Sequence, residues 1–146
     1  MKGLSKLENL YHVELVRVHL HDMKLDELRP CRLLTLKLED CRFGKSDVSL
    51  SEVVLETLQC LSVDLSILEG MLRGNPSFTD LRSLELLFYE DCTMKFLLKT
   101  AIPSMSRLKR ICFSRCKGDM IKTPGRSHAM SVINNVYDRR FNIVFE

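Results

Sequence analysis

Apolar residues recur along this chain in short alternating runs. LKLEDC at 36–41, LFYEDC at 87–92 and ICFSRC at 111–116 share one order: apolar, any, apolar, any, any, Cys. The positions three and six places upstream are Leu33 and Pro30, Leu84 and Leu81, and Leu108 and Met105. Two copies lack the Cys, namely Leu7, Leu10, Val13, Leu15, Val18 and Leu55, Leu58, Leu61, Val63, Ser66. A weaker sixth places Phe141 and Ile143 at the paired sites, with Asp138 in place of a Leu. The leading residues Val13, Leu36, Leu61, Leu87, Ile111 and Phe141 then lie 23, 25, 26, 24 and 30 residues apart. In the fourth copy Leu81, Leu84 and Leu86 also fit the template; the register adopted aligns the two EDC triplets.

Alternation with a period of two sends every second side chain to one face of a strand, so each copy predicts a short strand with its paired apolar residues inward. A repeat near 25 residues leaves room for a short helix after each strand. The connecting segments carry helix signals. Ser49-Leu50-Ser51-Glu52 reads as a capping box opening a helix through Val53, Val54 and Leu58. Ser66 and Glu69 do the same for the next helix, which Gly74-Asn75-Pro76 stops. Thr93 caps a third that Pro103 ends, and 20–30 reads as a shorter helical turn closed by Pro30. Residues 118–128, with Gly118, Pro124 and Gly125, break the period and predict a mobile loop, with Thr123-Pro124 beside Arg126 a phosphorylation candidate. A helix over 128–140 then feeds a last strand at 141–146.

This is the L-x-x-L-x-L-x-x-C/N pattern of leucine-rich repeats. The expected fold is α/β: a leucine-rich repeat solenoid of about five to six repeats, with a curved parallel sheet on the concave side and short helices on the convex side. RPCRLLTLKLEDCRFGKSDVSL resembles the cysteine-containing subclass found in the substrate-receptor half of F-box proteins. It has a Pro-Cys ahead of the first Leu, a Cys at the ninth place, and Phe43 and Asp47 downstream. The resemblance covers about residues 5–118, and no F-box segment precedes it. It implies a non-catalytic module that binds a protein partner on its concave face, as a substrate-recognition or adaptor subunit of a ubiquitin ligase-type complex. An RNA-associated repeat protein using a basic C-terminal end is the alternative.

A length of 146 residues suits one domain over 1–146, with regular repeats at 5–118 and an irregular closing unit at 119–146. Hydrophobic residues at 45% and charged residues at 28% argue against intrinsic disorder. The apolar content is dominated by Leu, of which there are 25, none beyond Leu108. No apolar run approaches the roughly 18 to 20 residues of a membrane helix, and the charges near the N-terminus do not suit a signal peptide. A soluble protein of the cytoplasm or nucleus is expected. The six cysteines form no CxxC pair and are expected to be reduced and mostly buried.

A net charge of +3 does not demand nucleic acid, so any charge signal must come from clustering. The four histidines are scattered. His12 and Cys60 are expected on neighbouring strands of one face, but a nucleophile and base there are less expected than incidental neighbours. No catalytic residue, cofactor or metal is expected; the Glu39-Asp40 and Glu90-Asp91 pairs read as solvated or partner-facing. Alignment of the copies places Glu39, Asp40, Asp64, Glu90 and Asp91 on the concave face as an acidic centre, with Lys37 exposed beside them. Lys109, Arg110, Arg115, Arg139 and Arg140 form a basic C-terminal end, and Tyr11, Leu65, Leu86 and Phe88 supply apolar anchors. The chain enters the repeat directly and closes at Glu146, as the terminal part of a longer ancestor or with an end covered by a partner would. An uncovered edge at 141–145 invites self-association.

Overall fold

The computed structural model describes residues 9–20, 32–43, 48, 50–88, 94–115, 123–137 and 141–146. In chain order the elements are β1 (His12–Val16), β2 (His19–Leu20), β3 (Thr35–Glu39), β4 (Arg42–Phe43), α1 (Glu52–Thr57), β5 (Cys60–Asp64), α2 (Leu65–Met71), β6 (Ser83–Leu87), α3 (Met94–Phe96), β7 (Arg110–Ser114), α4 (Thr123–Val136) and β8 (Asn142–Phe145). A π-helical turn (Leu97–Ala101) and a 3-10 turn (Ile102–Ser104) continue α3. Six strands form one sheet in the order β1-β3-β5-β6-β7-β8, every neighbouring pair parallel. β2 and β4 form a separate parallel pair.

The register aligns Val13, Leu36, Leu61, Leu84, Ile111 and Ile143 across the sheet, at intervals of 23, 25, 23, 27 and 32 residues. The fourth strand therefore uses Leu81, Leu84 and Leu86, not the register built on Leu87. All three are buried on the core side, and the EDC triplet at 90–92 follows three residues later than its counterpart at 39–41. In the last strand the pair is Ile143 and Phe145, one step on from the expected Phe141 and Ile143.

One hydrogen-bond pattern joins successive strands. The carbonyl of Tyr11 accepts from the N–H groups of Leu34 and Thr35 (2.8 and 3.0 Å), and that of Leu34 from Gln59 and Cys60 (2.8 and 3.0 Å). Gln59 accepts likewise from Arg82 and Ser83, and Arg82 from Lys109 and Arg110. At the other end of the strands Arg17, Asp40, Phe88 and Arg115 hold φ between 50 and 55°, a left-handed step that turns the chain off the sheet.

The paired apolar residues and the helices share one core. Leu36, Leu38, Leu61, Val63, Leu84, Leu86, Ile111 and Phe113 pack in it with Val54 of α1, Ile67 and Leu68 of α2, Leu97 and Ala101 of the π turn, and Ala129 and Ile133 of α4. The sheet thus has one face covered by these helices and a second, open face with no helix on it among the described residues, where Glu39, Ser62, Leu87, Cys112 and Ser114 are nonetheless buried. Cys41, at the ninth place, is buried and donates to the Leu15 carbonyl at 3.3 Å. Among the described residues three cysteines are free, Cys41 and Cys112 buried and Cys60 exposed.

The helix starts differ in detail. Ser51, not Ser49, caps α1 by accepting from the Val54 N–H at 3.4 Å. Asp64 holds the cap position of α2 and Ser66 lies inside the helix; Gly74 (φ 82°) and Asn75 (φ 54°) follow its end. Residues 123–128 are helical, because Pro124 stands in the first turn, where its missing N–H costs nothing. Cys31, Cys92, Cys116, Thr93, Gly118 and the turn over 21–30 lie outside the described residues.

Candidate functional site

The open face carries three rows of side chains, one residue per strand. The first row is His12, Thr35, Cys60, Ser83, Arg110 and Asn142; the second is Glu14, Lys37, Ser62, Glu85, Cys112 and Val144. The third takes the next outward position: Val16, Glu39, Asp64, Leu87, Ser114 and Glu146. Beyond it stand the turn residues Arg17, Asp40, Phe88 and Arg115, and Leu65 at the start of α2.

A chain of charges runs across this face. Lys37 Nζ lies 2.9 Å from Glu14 and 3.4 Å from Glu39, and the Arg115 guanidinium donates to the other Glu39 oxygen. On its way Arg115 covers the Phe88 ring, 4.9 Å from its centroid. Glu39 is only 7% exposed, and Arg115 holds its carboxyl below the usual carboxylate range against the opposing effect of burial. The hydrogen bond from Lys37 lowers Glu14, and the same bond raises Lys37. Asp64 accepts the Asp40 N–H at 2.9 Å through Oδ2, while its Oδ1 is buried with no partner among the described residues. Burial pushes this carboxyl up.

The predicted partner-binding residues divide into three groups. Tyr11 (53% exposed), Asp40, Phe88 (36% exposed), Lys109 and Arg115 are accessible; Lys37, Asp64, Leu65 and Arg110 are half-buried, and Glu39 is buried inside the ion chain. Leu86 is corrected: at 1% exposed it belongs to the core, because the fourth strand's true register turns it inward. Glu90, Asp91, Arg139 and Arg140 lie outside the described residues. The corrected register puts Leu87 and Phe88 where the acidic pair Glu90-Asp91 was expected, so an aromatic anchor stands between the acidic residues and Arg115. It also brings Arg82 and Ser83 beside Lys109 and Arg110. His12 and Cys60 share a row, but Thr35 of β3 stands between them, so they are not on neighbouring strands.

Residues hidden by the wrong register now emerge. Glu85 sits in the middle row beside Cys112, and both its oxygens accept from serine hydroxyls, Ser62 and Ser114, at 2.5 Å each. Ligand atoms of Glu85, Cys112 and Glu146 all lie within 4.8 Å of one another, which makes this trio the set that could hold a metal ion among the described residues. Burial pushes the Cys112 thiol up, so an ion would have to displace its proton. A separate rim joins Asp80 to Arg107 (3.1 Å), Arg82 (3.3 Å) and Gln59 (3.3 Å), and Arg107 chiefly lowers the Asp80 carboxyl. On the covered side a cleft of about 360 Å³ lies between the end of α2 and the turns after α3, lined by Asn75, Ser77, Lys99 and Ser104 among others. No helix among the described residues is long and apolar enough to cross a membrane. The chain matches no family model, no curated protein and no solved structure.

Proposed function

We propose that this chain is a short leucine-rich repeat solenoid that acts as a non-catalytic recognition module, binding a protein partner on the open face of its parallel sheet. The observation that carries this reading is the arrangement around Phe88. A partly exposed aromatic ring is flanked by Arg115 and by the acidic residues Glu39, Asp40 and Asp64, on a face that carries no helix among the described residues. An apolar anchor inside a ring of mixed charge suits a folded or extended protein surface, the aromatic group giving affinity and the charges specificity. Sequential strand order, a repeated hydrogen-bond pattern and one apolar pair per strand support the solenoid. Adaptor work in a ubiquitin ligase-type complex is the narrower form that the family resemblance favours.

RNA binding is the less favoured reading. Arg115 is committed to Glu39, and Arg82 and Arg107 to Asp80, so these cations do not form a continuous phosphate track. The test is capture from a lysate with the parent chain, with Phe88→Ala, and with Arg73→Glu on the far side as control. A protein partner lost with Phe88→Ala, retained with Arg73→Glu and resistant to nuclease supports the reading. Nuclease-sensitive capture, or capture indifferent to Phe88, overturns it.

A further inference from the structure

The two ends of the sheet are complementary to each other. Among the described residues no strand lies outside β1 or β8. The bonds Thr35 N–H to Tyr11 O and Arg17 N–H to Glu39 O commit the odd-numbered residues of the first strand to β3. In a parallel ladder, the backbone groups of His12, Glu14 and Val16 therefore point to the outer edge. At the far end the Asn142 and Glu146 N–H groups bond to Lys109 and Phe113, so those of Ile143 and Phe145 point outward. The apolar residues at the ends are also incompletely covered. Ile143, Phe145 and Leu15 are half-buried, whereas their counterparts Leu36, Leu38, Leu61, Val63, Leu84, Leu86, Ile111 and Phe113 are 0 or 1% exposed.

We propose that copies of this chain associate head to tail, the outer edge of β8 in one copy pairing in parallel with the outer edge of β1 in the next. The register is fixed by the repeat itself: Ile143 beside Val13 and Phe145 beside Leu15, continuing the row that already joins Val13 to Leu36 and Ile111 to Ile143. This pairing keeps the donors and acceptors in phase while putting both apolar residues of β8 against apolar residues of β1. A twofold pairing of β8 with β8 would be antiparallel, and every pair in the sheet is parallel. Contact between different edges leaves one edge free on each side of a dimer, so the assembly grows beyond the dimer with concentration, as a ring or an open filament.

Multi-angle light scattering over a concentration series of the parent chain, of Glu14→Pro and of Ile143→Pro tests this. Each proline removes an N–H that faces the outer edge and no backbone bond among the described residues, although Glu14→Pro also removes the ion pair with Lys37. The expected result is a parent mass that rises with concentration without a plateau at the dimer. Each proline variant alone stays monomeric, and their equimolar mixture gives a dimer, one good edge from each. A parent that is monomeric throughout, a Glu14→Pro protein that still dimerises alone, or a mixture that stays monomeric overturns the proposal. Should a proline variant fail to fold, amide exchange in the parent decides. Protection of His12, Glu14, Ile143 and Phe145 that increases with concentration supports head-to-tail pairing, and protection independent of concentration overturns it.

Discussion

Replacing Arg115 by Gln removes the guanidinium that covers Phe88 and pairs with Glu39, leaving a carboxylate that is 7% exposed with Lys37 as its remaining cation. Hydrogen bonds to charged groups contribute about 1.5–3 kcal/mol when sheltered, and exposed ion pairs about 0.2–1 kcal/mol. Arg115 is 51% exposed, which places the pair near the boundary, with an expected coupling of about 1 kcal/mol. A urea-denaturation cycle of parent, Arg115→Gln, Glu39→Gln and the double variant isolates that coupling. Its pH dependence has a definite sign. Arg115 lowers the Glu39 carboxyl in the folded state, so the stabilisation is complete above the ordinary value of 4.5 and is lost as pH falls through the folded-state value. The coupling measured at neutral pH should therefore be lost on acidification through that folded-state value. A coupling below about 0.3 kcal/mol at neutral pH, or one that persists unchanged in acid, would refute the ion chain.

Leu86→Ala should cost about 3 kcal/mol in denaturant titration while Tyr11→Ala costs less than about 0.5 kcal/mol; equal effects would place Leu86 on the surface. Gly74→Ala should lose about 1 kcal/mol in thermal unfolding, because a Cβ there meets only open space and the cost comes from φ 82° alone. Asp64→Asn should stabilise the fold at neutral pH. Burial raises this carboxyl in the folded state, so its ionisation opposes folding as pH rises through the folded-state value, and the gain should fade in acid. In native thiol labelling mapped by mass spectrometry, Cys60 should react well before Cys41 and Cys112, both buried and both pushed up by desolvation.

Much of the sheet was legible because period-two alternation is a backbone property. Val13, Leu36, Leu61 and Ile111 stand in one row as their spacing predicts. The fourth strand was not, since Leu81, Leu84, Leu86 and Leu87 satisfy two registers, and the repeated EDC triplet favoured the wrong one. Packing decided it: only the Leu84 register sets each apolar pair beside its neighbours. That three-residue shift also explains why the repeat pattern turns Leu86 outward as an anchor and sets Glu85 ahead of the strand, not in its middle row. Helix starts were misread by a residue or two, because Ser49 and Ser51 both offer hydroxyls and only the fold shows which one reaches Val54. The ion chain from Glu14 to Arg115 joins residues far apart in sequence across several strands, a contact that no local pattern encodes.

The role proposed for the open face around Phe88 is recognition of a protein. A photo-crosslinking residue placed at position 88, and in a second chain at the exposed position 130 of α4, tests it most directly in a lysate. The expected result is one nuclease-resistant protein adduct from position 88 that is absent from position 130. The same adduct at equal yield from both positions, or adducts that disappear with nuclease, would contradict it.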